Sequence, residues 1–193
     1  MIEIVPYQPT WPGEFAQLAA ILRAALGDLA LRIDHIGSTA VPGLAAKDII
    51  DIQLTVRSLD DFQPVQSALE SLGYTLVESV THDHRPPKTP GPDSDWEKRY
   101  FHPPPLQRRT HVHVRVAGHP NQQYPLLFRD FLRAHPSTAL AYAALKQILA
   151  RYHGDSDDHL PYVEIKDPAC DIIMSSAYEW AGATSWQPPS SDG

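Results

Sequence analysis

The residues with the clearest chemical potential form a glycine–serine turn that precedes an acidic, β-branched segment. Gly37, Ser38 and Thr39 come first, and Asp51 follows them along the chain. Gly37 lets the backbone approach a phosphate group closely, and the two hydroxyl groups can donate hydrogen bonds to the phosphate oxygens. A carboxylate facing such a turn can hold a divalent metal ion against the same oxygens. The pattern therefore predicts phosphate binding by the turn, metal binding by Asp51 and charge neutralisation by nearby Lys47.

The spacing of the glycines excludes one familiar phosphate-binding motif. A P-loop has four residues between its two glycines and a lysine directly after the second. Here five residues separate Gly37 from Gly43, and Lys47 comes later. As a bare pattern, a structural turn followed by an aspartate at a strand end is the more common arrangement, and it stands as the alternative to a binding site.

A row of polar side chains is predicted further along the chain. His111, His113 and Arg115 alternate with three valines. Because successive side chains of a strand point to opposite faces, the two imidazoles and the guanidinium should share one face. If this face lines the site of Asp51, we expect His113 to lie level with the carboxylate as metal ligand or general base, with His111 and Arg115 near the substrate. The alternative is a half-exposed strand whose polar face contacts solvent.

Four further groups of polar residues are weaker candidates. Arg99 can make a bidentate phosphate contact, or it can be an ordinary surface arginine. The segment 82–84 contains two histidines and an aspartate among prolines, and we interpret it as solvated. Lys146 is likewise interpreted as part of a solvated helix face. The acidic segment 155–158 lacks the ligand spacing of a calcium loop and is interpreted as a connection between helices.

The composition limits the class of protein. A length of 193 residues, with 42% hydrophobic and 20% charged residues, fits one globular domain. No apolar stretch is long enough to span a membrane and the N-terminus lacks a secretory signal, so a cytoplasmic location is expected. Cys170 is the single cysteine, which excludes an internal disulfide. A net charge of −7 argues against binding along extended nucleic acid but permits a small nucleotide.

The elements that must position these residues follow from hydrophobic periodicity. Apolar residues at helical spacing predict helices, and β-branched alternation predicts strands. Pro168 should start or kink the last helix, segment 81–95 should be a mobile loop, and residues 183–193 should form a flexible tail. We predict helices at 14–27, 60–72, 124–134, 137–151 and 163–181, and strands at 31–36, 49–56, 74–80, 96–102 and 110–117.

The most recognisable stretch of sequence surrounds the glycine–serine turn. Residues 33–52, IDHIGSTAVPGLAAKDIIDI, resemble the signature of the GrpB family almost position by position. Further pieces of the chain resemble that family in the same order, over nearly the whole length. These pieces are Pro6–Tyr7, Trp11, Phe15, Arg99, Phe101, residues 111–113, residues 128–133, His135–Pro136, Tyr142, Leu145–Lys146, Tyr162 and Lys166.

The resemblance to the GrpB family implies a fold and a mode of binding. The fold is α/β (α+β) and nucleotidyltransferase-like, with a small mixed sheet, flanking helices and a C-terminal helical layer in a single domain, residues 1–182. Proteins of that superfamily bind metal and a nucleoside triphosphate with a glycine–serine turn, an Asp-x-Asp pair and a third acid. Here Asp51 matches the first acid, Gln53 replaces the second, and His111 and His113 stand where the third is expected. A divalent metal, Mg²⁺ or Mn²⁺, is therefore expected, and the histidines also suit Zn²⁺.

Two classes of function follow from this resemblance. The first is an enzyme that transfers a nucleotidyl or phosphoryl group to a small acceptor, with a nucleotide or another phosphorylated small molecule as partner and with neither extended nucleic acid nor a membrane. The second is a non-catalytic nucleotide-binding or partner domain, since similar domains occur fused to dephospho-CoA kinase. Gln53 favours the second class and the histidine row favours the first. Metal-dependent chemistry without a nucleotide is a third alternative, and the oligomeric state stays open.

Overall fold

The computed structural model describes residues 2–154 and 160–193, and the predicted connection at 155–158 lies outside them. Within the described residues, no helix combines the length and the hydropathy needed to cross a membrane. The helices are α1 (Trp11–Leu26), α2 (Gln63–Ser71), α3 (Pro120–Ala134), α4 (Pro136–His153) and α5 (Leu160–Thr184). The strands are β1 (Arg32–Ile36), β2 (Ile50–Val56), β3 (Thr75–Leu76), β4 (Arg99–His102) and β5 (Thr110–Val116).

Helix α1 shows how the sequence pattern produces these elements. Pro12 stands in its first turn, where the missing N–H needs no partner, and Gly27 follows its last residue. The helix therefore begins before the predicted start at residue 14. Its apolar residues recur at helical spacing and form one buried stripe, and full burial of each large side chain contributes about 1.5–3 kcal/mol. The stripe consists of Trp11, Phe15, Ala19, Leu22 and Leu26.

The strands form one mixed sheet in the order β1-β2-β5-β4-β3. The central pair, β2 and β5, is parallel, and the other neighbours are antiparallel. In the parallel register Asp51 lies opposite His111, and Gln53 lies opposite His113. Since residues paired across neighbouring strands share a face, all four side chains project from the same side of the sheet.

The two faces of the sheet are covered differently. Helices α1 and α2 pack against one face around an apolar core that includes Ile52, Leu54 and Val112. On the other side α3, α4 and α5 pack against one another around a second apolar cluster, which includes Phe131 and Tyr142. The predicted fold class, a small mixed sheet with flanking helices and a C-terminal helical layer, is confirmed.

Several element boundaries differ from the prediction, and strands β3 and β4 and helix α5 show why. Strand β3 is shorter than predicted because a turn, in which the N–H of Val80 donates to the carbonyl of Val77 at 3.1 Å, redirects the chain. Strand β4 begins at Arg99 because a 3-10 turn occupies Asp93–Trp96. Pro168 lies inside α5 and does not start it, since that helix begins before the proline.

The proline-rich segment 81–95 is held to the residues that follow it. The N–H of Asp83 donates to the carbonyl of Trp96 at 3.0 Å, and the N–H of Lys98 donates to the carbonyl of Thr81 at 2.8 Å. Such paired backbone groups fix the direction of the chain. The first part of the segment is therefore anchored, which its composition does not predict.

The C-terminal residues lie along the outer edge of β1. The hydroxyl of Ser191 accepts a hydrogen bond from the N–H of Ile33 at 3.0 Å. The N–H of Gly193 donates to the carbonyl of Ile33, also at 3.0 Å. Strand β1 is an edge strand, and unpaired backbone groups at an edge invite association with other chains. The segment 183–193, predicted as a flexible tail, therefore makes specific contacts at its end in the structure.

Replacing Asp192 with alanine tests whether these contacts persist in solution. Its Oδ2 accepts hydrogen bonds from Nη1 of Arg129 at 2.7 Å and from the N–H of His35 at 2.9 Å. Because the change removes a partner of a buried guanidinium, Asp192→Ala should lower the free energy of unfolding in urea by about 1–3 kcal/mol. Ser190→Ala, at an exposed neighbour, should change it by less than about 0.5 kcal/mol. Equal stability of both variants and the wild type would support the predicted flexible tail.

Candidate metal and phosphate site

One carboxylate and two imidazoles meet on the face of the sheet turned toward α3–α5. Asp51 and His111 are register partners, and Nδ1 of His111 lies 3.1 Å from Oδ1 of Asp51. His113 is the next residue on the same face, and one potential ligand atom from each of the three residues lies within 4.8 Å of the others. Imidazole nitrogens and carboxylate oxygens are common metal ligands, so this cluster can hold one divalent ion.

The order of the two histidines differs from the prediction. Asp51 is the second residue of β2, and the parallel register pairs it with the second residue of β5, His111. The expectation that His113 lies level with Asp51 is therefore wrong, because it assumed the middle of β5. Burial lowers the pKa of His113 well below its ordinary value, and the guanidinium of Arg115 adds to that effect. His113 is therefore neutral at neutral pH, which is the form that coordinates a metal.

Gly37 brings the glycine–serine turn against the carboxylate of Asp51. Its φ of +72° lies in the left-handed region that favours glycine. A Cβ atom at this position would overlap Oδ2 of Asp51 and lie 3.0 Å from its Cβ. The missing side chain thus lets the turn approach Asp51 itself, whereas the expected role of the glycine was to let a phosphate approach.

The two hydroxyl groups of the turn have different surroundings. Ser38 is half-buried, and its Oγ accepts a hydrogen bond from Nζ of Lys146 at 2.8 Å. Thr39 is buried, and its Oγ1 donates to the carbonyl of Ile49 at 3.2 Å and pairs with Nε2 of His35 at 3.0 Å. Ser38 can therefore contact a ligand, whereas the hydroxyl of Thr39 closes the turn and does not support the predicted phosphate contact.

A cavity of about 480 Å³ adjoins the metal cluster and reaches α4 and α5. Lys146 lines it, and its Nζ also donates to the carbonyl of Ala45 at 2.6 Å. Burial lowers the pKa of Lys146 to about 7. The expectation that Lys146 lies on a solvated helix face is therefore wrong. A signal was present, because Lys146 shares helical spacing with the buried residues Tyr142 and Leu149 of the same helix.

Two more lysines approach the same cavity. Lys47, predicted to neutralise phosphate charge, lies with its Nζ 4.3 Å from the ring centroid of Tyr162. Burial lowers the pKa of Lys47, and the positive charge of Lys166 adds to that effect. Nζ of Lys166 lies 2.9 Å from Oδ1 of Asp167. Together with Lys146, these two lysines place three ammonium groups around the cavity. Their positive charge favours an anionic ligand.

Arg115 is part of a buried network and is occupied by protein partners. Its Nε and Nη2 donate to the two carboxylate oxygens of Asp83 at 2.7 and 2.8 Å, and its Nη1 donates to Oε1 of Gln53 at 2.8 Å. Nζ of Lys98 also lies 2.8 Å from Asp83. Burial raises the pKa of Asp83, but Arg115 outweighs it and holds that pKa well below its usual range. The expectations of a solvated Asp83 and of a substrate contact by Arg115 are therefore both corrected.

Strand β4 contributes a different residue from the one predicted. Arg99 lies opposite Val114, and its guanidinium carbon lies 5.8 Å from the ring centroid of Phe62, on the apolar face. The predicted phosphate contact by Arg99 is therefore wrong, because the alternation of the strand turns it away from the cavity. Tyr100 faces the cluster instead, with its ring centroid 5.4 Å from that of His111 and 5.0 Å from that of His113.

The fold and the site together define a class of α/β domain. Its mixed sheet presents a glycine–serine turn, a carboxylate and two histidines to a layer of C-terminal helices. The chain belongs to the GrpB family, since the family model, described as GrpB protein, matches residues 1–176. Its structure is similar to the crystal structure of the conserved protein GrpB from Enterococcus faecalis. The TM-score is 0.72 and the identity 33%, over 92% of this chain and 98% of that chain. The family resemblance inferred from the sequence is confirmed.

Relatives of the chain carry two kinds of name. The chain is 38% identical to a dephospho-CoA kinase of Mycolicibacterium paratuberculosis, over 97% of its own length and 48% of that protein. It is 35% identical to the UPF0157 protein YqkA of Bacillus subtilis, over 93% of its own length and 48% of that protein. The chain therefore spans about half the length of these relatives.

Replacing Gly37 with alanine tests the contact between the turn and Asp51. The new Cβ would displace the carboxylate, so Gly37→Ala should weaken metal binding, measured by calorimetric titration, by at least about tenfold. Gly43→Ala is the matched control, because Gly43 also has a positive φ, +79°, but no atom lies within 4 Å of an added Cβ. Both variants should lose about 1–3 kcal/mol of stability from backbone strain. Undiminished metal affinity in Gly37→Ala would argue against a metal role for Asp51.

Lys146 permits a test based on pH. Because its pKa falls from 10.5 in an exposed lysine to about 7 in the folded protein, the unfolded chain binds more protons in the window between these values. The contribution of Lys146 to folding therefore becomes more favourable as the pH rises through that window. Relative to Lys146→Met, the wild type should gain stability in urea denaturation between about pH 7 and 10.

The exposed Lys88 provides the control for this experiment. The wild type should keep a constant difference in stability from Lys88→Met over the same pH range. A wild-type stability that also stays parallel to that of Lys146→Met would mean that Lys146 remains protonated in the folded protein.

Proposed function

We propose that the chain is a metal-dependent enzyme that binds a nucleotide or another phosphorylated small molecule and transfers a nucleotidyl or phosphoryl group to a small acceptor. The observation that carries this proposal is the cluster of Asp51, His111 and His113, whose potential ligand atoms lie within 4.8 Å of one another. The cluster adjoins both the glycine–serine turn and a cavity of about 480 Å³. Metal donors beside a cationic cavity suit the chemistry of a bound phosphate.

The charge of the cavity supports a phosphorylated ligand. The chain as a whole has a net charge of −7, yet five basic and three acidic side chains line the described part of the cavity. One of the acids, Asp83, already compensates Arg115 and Lys98. A bound anion would relieve the remaining excess of positive charge. The lining side chains in question are Lys47, Lys98, Arg115, Lys146, Lys166, Asp51, Asp83 and Asp167.

Each side chain of the site would have its own role in group transfer. The hydroxyl of Ser38 donates to a phosphate oxygen, and the ammonium group of Lys146, 2.8 Å from that hydroxyl, neutralises the charge that the leaving phosphate acquires. The metal, when bound, supplies positive charge at the phosphorus that is attacked. The acceptor hydroxyl would release its proton to solvent as its oxygen forms the new bond to phosphorus and the bond between phosphorus and the leaving phosphate breaks.

A second function from a different class is a non-catalytic nucleotide-binding or partner domain that works beside dephospho-CoA kinase. Two observations favour it. The chain matches about half of a relative named dephospho-CoA kinase. Gln53, which stands in place of a second acid, is buried and has both ends of its amide hydrogen-bonded to the protein. Such a domain would bind a nucleotide or a CoA precursor without transferring any group.

A binding screen followed by a turnover assay separates the two functions. Nucleoside triphosphates and dephospho-CoA would be tested by thermal shift with Mg²⁺, Mn²⁺ and Zn²⁺. A ligand at 100 times its dissociation constant should stabilise the fold by about 2.7 kcal/mol. Lys146→Met should weaken binding of any hit by about 10–100-fold, whereas Lys88→Met should leave it unchanged.

Phosphorus NMR of the hit with candidate acceptors then decides between the functions. Release of pyrophosphate or of a nucleoside diphosphate supports the transferase. Binding without any change of the phosphorus resonances over time would favour the partner domain. Failure of every phosphorylated compound to bind would contradict both functions.

A further inference from the structure

We infer that the site formed by Asp51, His111 and His113 selects a transition metal ion of the Mn²⁺-to-Zn²⁺ series and discriminates against Mg²⁺. This inference rests on the proposed function only in taking the cluster as a metal site. Its physical basis is the donor set, since two of the three potential ligand atoms are imidazole nitrogens. Mg²⁺ prefers oxygen ligands in near-octahedral geometry, whereas imidazole suits borderline transition ions.

Among the described residues, the side chain that takes the place of the second acid is not free to convert the cluster into a magnesium site. Gln53 shares the face of Asp51 and would be the nearest substitute for a second acid. Its Oε1 accepts a hydrogen bond from Arg115 at 2.8 Å, and its Nε2 donates to the carbonyl of Gln122 at 3.0 Å. Turning this buried amide toward an ion would break both bonds, which costs about 1–3 kcal/mol for each group left unpaired.

Arg115 also limits the site to a single ion. Its Nη2 lies 3.4 Å from Nδ1 of His113, where it can only donate, so coordination of an ion by either nitrogen of that ring would end this contact and leave the guanidinium charge beside the ion. A second cation placed beyond His113 would meet this charge at short range and in a partly desolvated setting. The arrangement therefore opposes the two-ion chemistry that paired acids support, and it leaves the one-carboxylate, two-histidine set as the binding unit.

The aromatic surroundings hold the two imidazoles in place. Tyr100 packs against the rings of both His111 and His113. A third imidazole, His102, lies next to this arrangement, with its ring centroid 6.0 Å from that of His111. His102 is exposed and stands outside the cluster of potential ligand atoms. Rings fixed on a central strand are preorganised for a metal, and the neighbouring His102 provides a matched control.

The test uses the full chain, freed of metal by a chelator, and the ions Zn²⁺, Co²⁺, Mn²⁺ and Mg²⁺ added alone. Calorimetric titration should give one site per chain, with Zn²⁺ and Co²⁺ bound at least about a hundredfold more tightly than Mg²⁺. Visible absorption of the Co²⁺ complex reports imidazole coordination without any assay of activity. His111→Ala and His113→Ala should each abolish the tight site, and His102→Ala should leave affinity and spectrum unchanged.

Defined outcomes would overturn the inference. Equal affinity for Mg²⁺ and Zn²⁺ would do so, as would wild-type affinity in His111→Ala, or an equal loss in His102→Ala. Because His113 packs against Arg115 and Tyr100, circular dichroism must show that its variant is folded, and the half-exposed His111 carries the test if it is not. Tight Zn²⁺ binding without binding of any phosphorylated compound would refute the proposed function alone. Nucleotide transfer supported by Mg²⁺ without tight Zn²⁺ binding would refute this inference alone.

Discussion

Strands β2 and β5 run side by side in parallel, and the candidate site depends on the register of that pair. One face of the pair carries Asp51, His111 and His113, and the other carries large apolar side chains such as Ile52 and Val112 that fill the core under α1. A shift of one residue would turn the imidazoles into the core and the valines toward the cavity. The cost of burying unpaired polar groups therefore fixes the same register that assembles the metal cluster.

Buried positive charge is the second constraint on this side of the sheet. Arg115 and Lys98 are compensated by Asp83, which the anchored segment 81–95 supplies. Lys146 has no comparable contact with a carboxylate among the described residues, and its ammonium nitrogen lies against two neutral oxygen atoms of Ser38 and Ala45. Burial without a counter-charge explains its lowered pKa. A site built in this way stores unfavourable electrostatic energy that an anionic ligand can release.

The sequence was sufficient where short-range periodicity determines the structure. Alternation predicted that His111, His113 and Arg115 share a face, and the family resemblance placed that face beside Asp51. The sequence was insufficient where packing between distant segments determines the structure. Whether Tyr100 or Arg99 of β4 faces the cavity depends on where the preceding turn ends and the strand begins.

Long-range contacts account for the remaining differences. Asp83 was assigned to solvent because its proline-rich neighbours resemble a loop, and only the folded chain shows the guanidinium that it meets. The docking of Asp192 against Arg129 joins residues 63 positions apart and has no local signal. The composition of a segment describes only the neighbours of a residue along the chain, whereas these contacts form only in the folded state.

The close approach of Gly37 to Asp51 links the two halves of the site mechanically. Since no side chain separates the turn from the carboxylate, a ligand that moves the turn would also move an oxygen of the proposed metal site. Occupancy at either position then changes the affinity at the other, and thermodynamic reciprocity requires the two changes to be equal. If the ion tightens the hold on a phosphate, the phosphate tightens the hold on the ion by the same factor. Under the proposed function, the metal content of the chain in a cell would thus follow the concentration of the phosphorylated ligand.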